Sequence, residues 1–353
     1  MSTAALLAYL RGQGEYCARH GSPLYGALCG YLADDVASGG PVRDLLSRWT
    51  GPDCSAETVA DEVPGLRLLG GLHRLVLARK APRLALYYPS VAGTADPVTA
   101  RADLLATVAA HEPVLREGLD QVPQTNEPGR AAALLGALAH LAAATGGLGV
   151  RLYEAGASAG LNLRADRLPV GPGQLIDSPL PTGPPYALLE RVGADLSPLD
   201  PTTTEDRLTL TSYVWADDKV RLERLRAAIA VAEQVPVRML QLGAVELAES
   251  LRLSPGTATV LWHSVMWQYL SPVERSRVLA AVDRLGSAAT ADSPLAYIRL
   301  ERGADPGPGR RWPHEVRMSL WPAEIAGSAA GLPGRRLGTA PAHGVPVAWT
   351  GAA

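Results

Sequence analysis

Leu152-Tyr153-Glu154-Ala155-Gly156-Ala157-Ser158-Ala159-Gly160-Leu161-Asn162-Leu163 decides how this chain is read. Val150-Arg151-Leu152-Tyr153 is strand-like, and it delivers an acidic residue, Glu154, into a turn of glycines and small residues. Gly156 permits a tight turn, and small side chains at 157–160 let a ligand approach the backbone. A helix starting after the turn would offer unpaired N–H groups. A dinucleotide loop reads G-x-G-x-x-G, whereas the spacing here is Gly156-x-Ser158-x-Gly160. Glu154, just before the first glycine, repels a phosphate and accepts hydrogen bonds from amino or hydroxyl groups. A plainer reading, a tight strand-to-helix turn with no ligand, uses the same residues.

On either side of this stretch the chain has two regimes. Residues 1–148 read as helix after helix, with apolar residues at intervals of three and four: Leu6, Leu7 and Leu10; Leu24, Leu28 and Leu32; Leu68, Leu69, Leu72 and Leu75. Further helices are expected at about 97–120 and 126–144, and His73 is expected in the core. From 149 to 353, short apolar runs alternate with helical stretches. Strands are expected at 150–153, 237–242, 259–262, 295–300, 315–321 and 335–349. Strands alternating with helices imply right-handed crossovers and a parallel sheet. The expected fold is therefore α/β, a Rossmann-like sheet with a C-terminal antiparallel strand pair, preceded by an all-helical N-terminal domain. The Pro/Gly-rich stretch 171–185 reads as a loop or lid. Arg310-Arg311-Trp312 reads as a solvated loop.

Composition bounds the partners. Of 353 residues, 47% are hydrophobic and 19% charged, which excludes global disorder. A net charge of −2 gives no basic footprint for nucleic acid and no polybasic patch for a membrane. Residues 131–150 carry no formal charge over about the length of a span. They are mostly Ala and Gly, contain His140 and break at Thr145-Gly146-Gly147, so a buried helix running into a strand is expected. Cys17, Cys29 and Cys54 form no CxxC pair and suggest neither a disulfide framework nor a zinc site. No signal-peptide pattern precedes Arg11 and Glu15, so a cytoplasmic protein is expected. Phe is absent and only Lys80 and Lys219 are lysines, so Leu, Val, Trp and Tyr must fill the core.

Residues 152–163 resemble motif I of class I S-adenosylmethionine (SAM)-dependent methyltransferases, acidic-x-Gly-x-Gly-x-Gly, with Ser158 in place of the middle glycine. The resemblance implies that Glu154, Gly156, Ser158, Gly160 and Asn162 hold the amino acid end of SAM. It also implies that Asp195, in Glu190–Pro198, holds the ribose hydroxyls. Asp195 lies farther from the glycines than the usual interval of about 20 residues, and the 171–185 insertion absorbs the excess. A turn-forming Asp is the plainer reading. Gly243 stands near the position where the family often has an Asp against the adenine amino group. Glu246 is the nearest acid, and is otherwise a solvated helix residue. In Leu261-Trp262-His263-Ser264-Val265-Met266-Trp267-Gln268-Tyr269, the strand end brings His263 and Ser264 to the ligand crevice. His263 reads as a general base assisted by Tyr269 or Asn126, or else as a satisfied core histidine. Gln124-Thr125-Asn126-Glu127-Pro128-Gly129-Arg130 reads both as a helix cap and as a projection of Asn126, Glu127 and Arg130 toward the glycine turn.

The chain as a whole is similar to a bacterial family known only as a domain of unknown function. The shared stretches are 124–130, 152–163, 194–200, 213–221, 260–270 and 342–349. Together these readings imply a SAM-binding enzyme, a methyltransferase acting on a small-molecule acceptor with the helical region shaping the acceptor pocket. No metal is implied. The alternatives are a non-methyl SAM reaction such as intramolecular cyclisation, a SAM- or nucleotide-binding protein without catalysis, and a nicotinamide oxidoreductase. Glu154 and the closing strand pair count against the last. The oligomeric state is left open.

Overall fold

The computed structural model describes residues 2–51, 54–303 and 313–350. The chain divides into two compact units, residues 1–125 with 203–223, and residues 126–202 with 224–353.

The first unit is helical, as its leucine spacing predicts. Its helices are Ser2–Arg19, Pro23–Ser38, Pro41–Leu45, Ala56–Glu62, Pro64–Leu77, Arg101–Ala110, Glu112–Leu119 and Thr204–Ser212. Leu6, Leu10, Leu24, Leu28, Leu32, Leu68, Leu69 and Leu72 are all buried in one core. The Ser22 side chain caps Pro23–Ser38, and Gly39 closes it in the left-handed conformation. The single helix expected at 97–120 is instead a 3-10 turn, Pro97–Thr99, and two helices that break at His111. Pro113 has no N–H with which to carry one ladder through. His73 is a core histidine. Its Nδ1 lies 3.2 Å from the Ser212 carbonyl oxygen and its Nε2 2.8 Å from Ser90 Oγ. Burial pushes its pKa down to about 4.

The second unit is built on eight strands: β1 (Gly149–Ala155), β2 (Leu188–Asp195), β3 (Arg238–Gln241), β4 (Thr257–Ser264), β5 (Leu295–Arg302), β6 (His314–Trp321), β7 (Arg335–Ala340) and β8 (Ala348–Trp349). They lie in the order β3-β2-β1-β4-β5-β6-β7-β8. β1 to β5 are parallel, and β6, β7 and β8 continue as an antiparallel meander. The order reverses between β1 and β4, and in open α/β sheets ligands bind beyond the carboxyl ends at such a switch point. Helices Ala244–Ser250 and Pro272–Gly286 bury Val245, Leu247, Val278 and Val282 against Tyr153, Ala155, Leu261 and Tyr297 on one face. The second of these starts with a capping box between Ser271 and Glu274. Helix Ala131–Thr145 packs near β5 and β6. Its Gly136 lies flat against the Trp349 ring, where a Cβ would collide.

Several expectations are corrected. Helix 131–145 groups with the sheet and 203–223 with the helical unit, so the boundary at 148 is not where the packing divides. The helix expected from 126 begins at Ala131, after a 3-10 turn (Pro128–Arg130) capped by the Glu127 side chain. No α-helix follows the glycine turn. A 3-10 segment, Asn162–Arg167, takes its place and bends at Arg164. The closing strand pair is three strands, because 341–347 leaves the sheet before β8 returns. The stretch 171–185 is anchored: Ile176 and Ser178 are buried, Ser178 Oγ accepts from Val347 N, and Trp349 Nε1 donates to the Pro179 carbonyl. Arg310, Arg311 and Trp312 lie outside the described residues. Among the described residues no helix is long and apolar enough to cross a membrane.

Candidate functional site

The turn after β1 is built on three left-handed residues: Gly156 (φ +66°), Ser158 (φ +53°) and Gly160 (φ +64°). Ser158 bears a Cβ in a region that disfavours one. Its neighbours hold it there. Its N–H donates to Asp195 Oδ2 at 2.8 Å, and its carbonyl accepts from Leu199 N at 3.1 Å. Asp195 Oδ1 also accepts from Ser197 N at 2.9 Å. Asp195 is thus the turn-forming Asx residue of the plainer reading, and it also braces the glycine turn. It remains half-buried. At Gly156 a Cβ would stand 3.1 Å from that of Met266.

Glu154 sits beneath this turn, 2% exposed. In register it lies between Gly193 on β2 and Trp262 on β4. Its Oε1 accepts from the Trp262 indole N–H at 3.2 Å, while Oε2 is buried without a hydrogen-bond partner. Burial pushes its pKa up to about 8. The Trp262 indole, Arg130 and Arg164 pull it down, and Asp195 adds to the rise. Neither arginine bonds to it. Arg130 donates through Nε to the Ala342 carbonyl at 3.0 Å and through Nη1 to the Ser264 carbonyl at 3.2 Å. Arg164 donates to the carbonyls of Val235, Ala159 and Gly160.

The QTNEPGR segment does reach the turn. Asn126 Oδ1 accepts from Leu161 N at 2.9 Å, and Asn162 Nδ2 donates to the Glu127 carbonyl at 3.3 Å. The Glu127 carboxylate caps Gly129 N and pairs with the buried Arg224 guanidinium at 3.4 Å. Two further buried polar atoms have no partner, Ser158 Oγ and Asn162 Oδ1.

His263 is separated from this group. It pairs in register with Ala155, one residue on from the Glu154–Trp262 pair, and successive strand residues face opposite sides. His263 Nδ1 lies 2.7 Å from Glu301 Oε1, and Nε2 lies 2.7 Å from Tyr297 OH. The arrangement fits a proton on Nδ1 donated to the carboxylate and a tyrosine O–H donated to Nε2. Both ring nitrogens are therefore engaged. Trp267 stacks on the ring with centroids 5.1 Å apart. Tyr269, expected to assist, is 40% exposed, and Tyr297 takes the place beside Nε2. Ser264 is buried, and its carbonyl is held by Arg130. Glu246 is an exposed first-turn residue of Ala244–Ser250 that reaches back against Gly243, as the plainer reading has it. Arg226 is exposed, while its neighbour Arg224 is the buried one.

The residues missed from sequence are Trp262 and Arg164 around Glu154, and Tyr297 and Glu301 around His263; Arg130 arrives with the 124–130 segment as expected. The signal for Tyr297 and Glu301 is their period: each lies two residues from Arg299, the register partner of His263, and so faces the same side. No curated protein and no solved structure matches the chain at a significant level. A family model described as "Uncharacterized protein conserved in bacteria (DUF2332)" matches residues 8–349.

Proposed function

Since the chain belongs to that uncharacterized bacterial family, its chemistry must be argued from the site, and we propose that it is a SAM-binding enzyme, a methyltransferase acting on a small-molecule acceptor. One observation carries the reading. A carboxyl buried at a left-handed turn, at the point where strand order reverses, has an oxygen with no protein partner. Buried polar groups are nearly always paired, so such an atom points to a ligand donor. The β3-β2-β1-β4-β5 order supports a methyltransferase-like core, with β6 to β8 as an addition at one end. A 3-10 segment instead of a helix N-terminus, together with Glu154, speaks against a phosphate-bearing ligand.

In this reading Glu154 takes the ligand's ammonium group, and Ser158 Oγ and Asn162 Oδ1 take its remaining polar contacts. The bare backbone at Gly156 and Gly160 lets the ligand lie close. Asp195 has lone pairs left for ribose hydroxyls beside its two backbone donors. Bound SAM supplies a methyl carbon made electrophilic by its sulfonium. The chain then aligns the acceptor and excludes water, with Met266 packed over Gly156 as part of that cover. His263 has no free ring nitrogen and faces the other side of the sheet, so it is not assigned the proton transfer. That same occupancy favours a second reading, binding without transfer.

Thermal unfolding and calorimetry with SAM, S-adenosylhomocysteine, NAD and NADP test the proposal. A ligand at a thousand times its Kd stabilises by about 4 kcal/mol. Stabilisation by the sulfur ligands is expected. No effect of either would overturn the reading, and stabilisation by NAD alone would replace it with the oxidoreductase. Where SAM binds, incubation with SAM alone and detection of methylthioadenosine distinguishes cyclisation from transfer.

A further inference from the structure

Glu154 is enclosed by four elements, and the cations among them, Arg130 and Arg164, attract it from a distance without a hydrogen bond to it. From β4 comes the neutral indole of Trp262, bonded to Oε1. From the turn at Pro128–Arg130 comes Arg130, and from Asn162–Arg167 comes Arg164. Each bonds main-chain carbonyls through its Nε and Nη1. From the end of β2 comes Asp195, a like charge. An ionised carboxylate with one neutral donor and an unpaired oxygen in such a place carries an uncompensated desolvation cost. A protonated acid carries a much smaller one, and two arginines near enough to attract but bonded elsewhere leave it protonated.

We infer that Glu154 is a neutral carboxylic acid in the free protein, and that the site takes a ligand's cationic nitrogen in exchange for that proton. The inference rests on the reading of a ligand at this turn and adds the charge class that the site selects. The balance is simple. The Oε2–H bond breaks, the proton passes to solvent, and the carboxylate so formed pairs with the ammonium group. No electron transfer and no co-reactant is involved. A burial-raised pKa of about 8 agrees with the geometry. Two consequences follow. Affinity for a cationic ligand rises about tenfold per pH unit below that value, because the proton competes with the ligand. A neutral nucleoside such as methylthioadenosine shows no such slope.

The experiment uses the full chain and Glu154→Gln, which keeps the shape and neutrality of the protonated acid. Infrared difference spectra between the two, without ligand, are compared at about pH 6.5 and pH 9.5, on either side of the raised pKa. A protonated-carboxyl carbonyl band present at the lower pH and lost at the higher one is expected; its absence at the lower pH overturns the inference whatever the ligand. SAM is then titrated calorimetrically at about pH 6.5 in buffers of different ionisation enthalpy. Release of close to one proton per SAM is expected with the wild type and none with Glu154→Gln. Binding of SAM without proton release overturns the inference and leaves the SAM reading standing. Failure of SAM to bind sinks the SAM reading, and the infrared band still decides the state of Glu154.

Discussion

Glu154 and His263 stand at the carboxyl ends of neighbouring strands, β1 and β4, and face opposite sides of the sheet. One residue of register separates them: Glu154 lies beside Trp262, and Ala155 beside His263. A ligand seated against Glu154 therefore meets the opposite face from the imidazole. His263→Ala should leave the Glu301 carboxylate and the Tyr297 hydroxyl short of a partner and cost about 1–3 kcal/mol of stability. SAM binding should change by no more than about 0.5 kcal/mol, as expected for sites that share no partner. Denaturant unfolding and calorimetry measure both. Weakened binding at unchanged stability would return His263 to the site.

Gly156→Ala places a Cβ at φ +66° and 3.1 Å from the Met266 Cβ. The backbone term alone is worth about 1–2 kcal/mol. Gly146→Ala is the control, since φ there is +67° with open space around the new methyl. Both variants should lose similar stability from the backbone. Only Gly156→Ala should also lose SAM affinity, as read by titration calorimetry.

Arg224 and Glu127 form an ion pair whose side chains are 8% and 1% exposed. Arg224→Met takes the cationic partner from a buried carboxylate, and removing one partner of such a pair typically costs about 3–5 kcal/mol. Adding Glu127→Gln should recover part of that loss. A double-mutant cycle by chemical denaturation checks it. Losses that simply add in the double variant would show that the pair does not matter.

Two buried groups tilt stability with pH in opposite senses. His73 falls from 6.5 to about 4 on folding, so the unfolded chain binds the extra proton. Its contribution is complete above pH 6.5 and is lost as pH drops toward 4. Glu154 rises from 4.5 to about 8, so the folded chain binds the extra proton. Its contribution is complete below pH 4.5 and is lost as pH climbs to about 8. Relative to His73→Gln, the wild type should gain stability between pH 4 and 6.5. Relative to Glu154→Gln, it should lose stability between pH 4.5 and 8. Urea unfolding across these windows reads both slopes, and a flat difference in either removes that group's assignment.

The sequence made some of this visible for physical reasons. Leucines at three and four specify helices whose inner face is one core, and Leu6 to Leu72 land there. The central strands β1, β4 and β5 show as short apolar runs because nearly every residue in them is buried on one face or the other. What lay beyond reach was decided by pairing across the sheet. Glu301 and Tyr297 are 38 and 34 residues from His263 in sequence and become its partners only once β4 and β5 fix their register. The region after the glycines was misjudged for a related reason. Helical spacing across 162–167 loses to Arg164, whose guanidinium turns back to bond Ala159, Gly160 and Val235 and bends the segment.

The meander that ends the sheet has a bearing on how its rims meet other chains. At one rim stands β3, four residues long and opened by the exposed Arg238; at the other stands β8, only two residues long. Unpaired strand rims are where chains nucleate onto one another, and short or charged rims blunt that tendency. This eight-stranded sheet thus offers a second molecule very little backbone to extend at either rim.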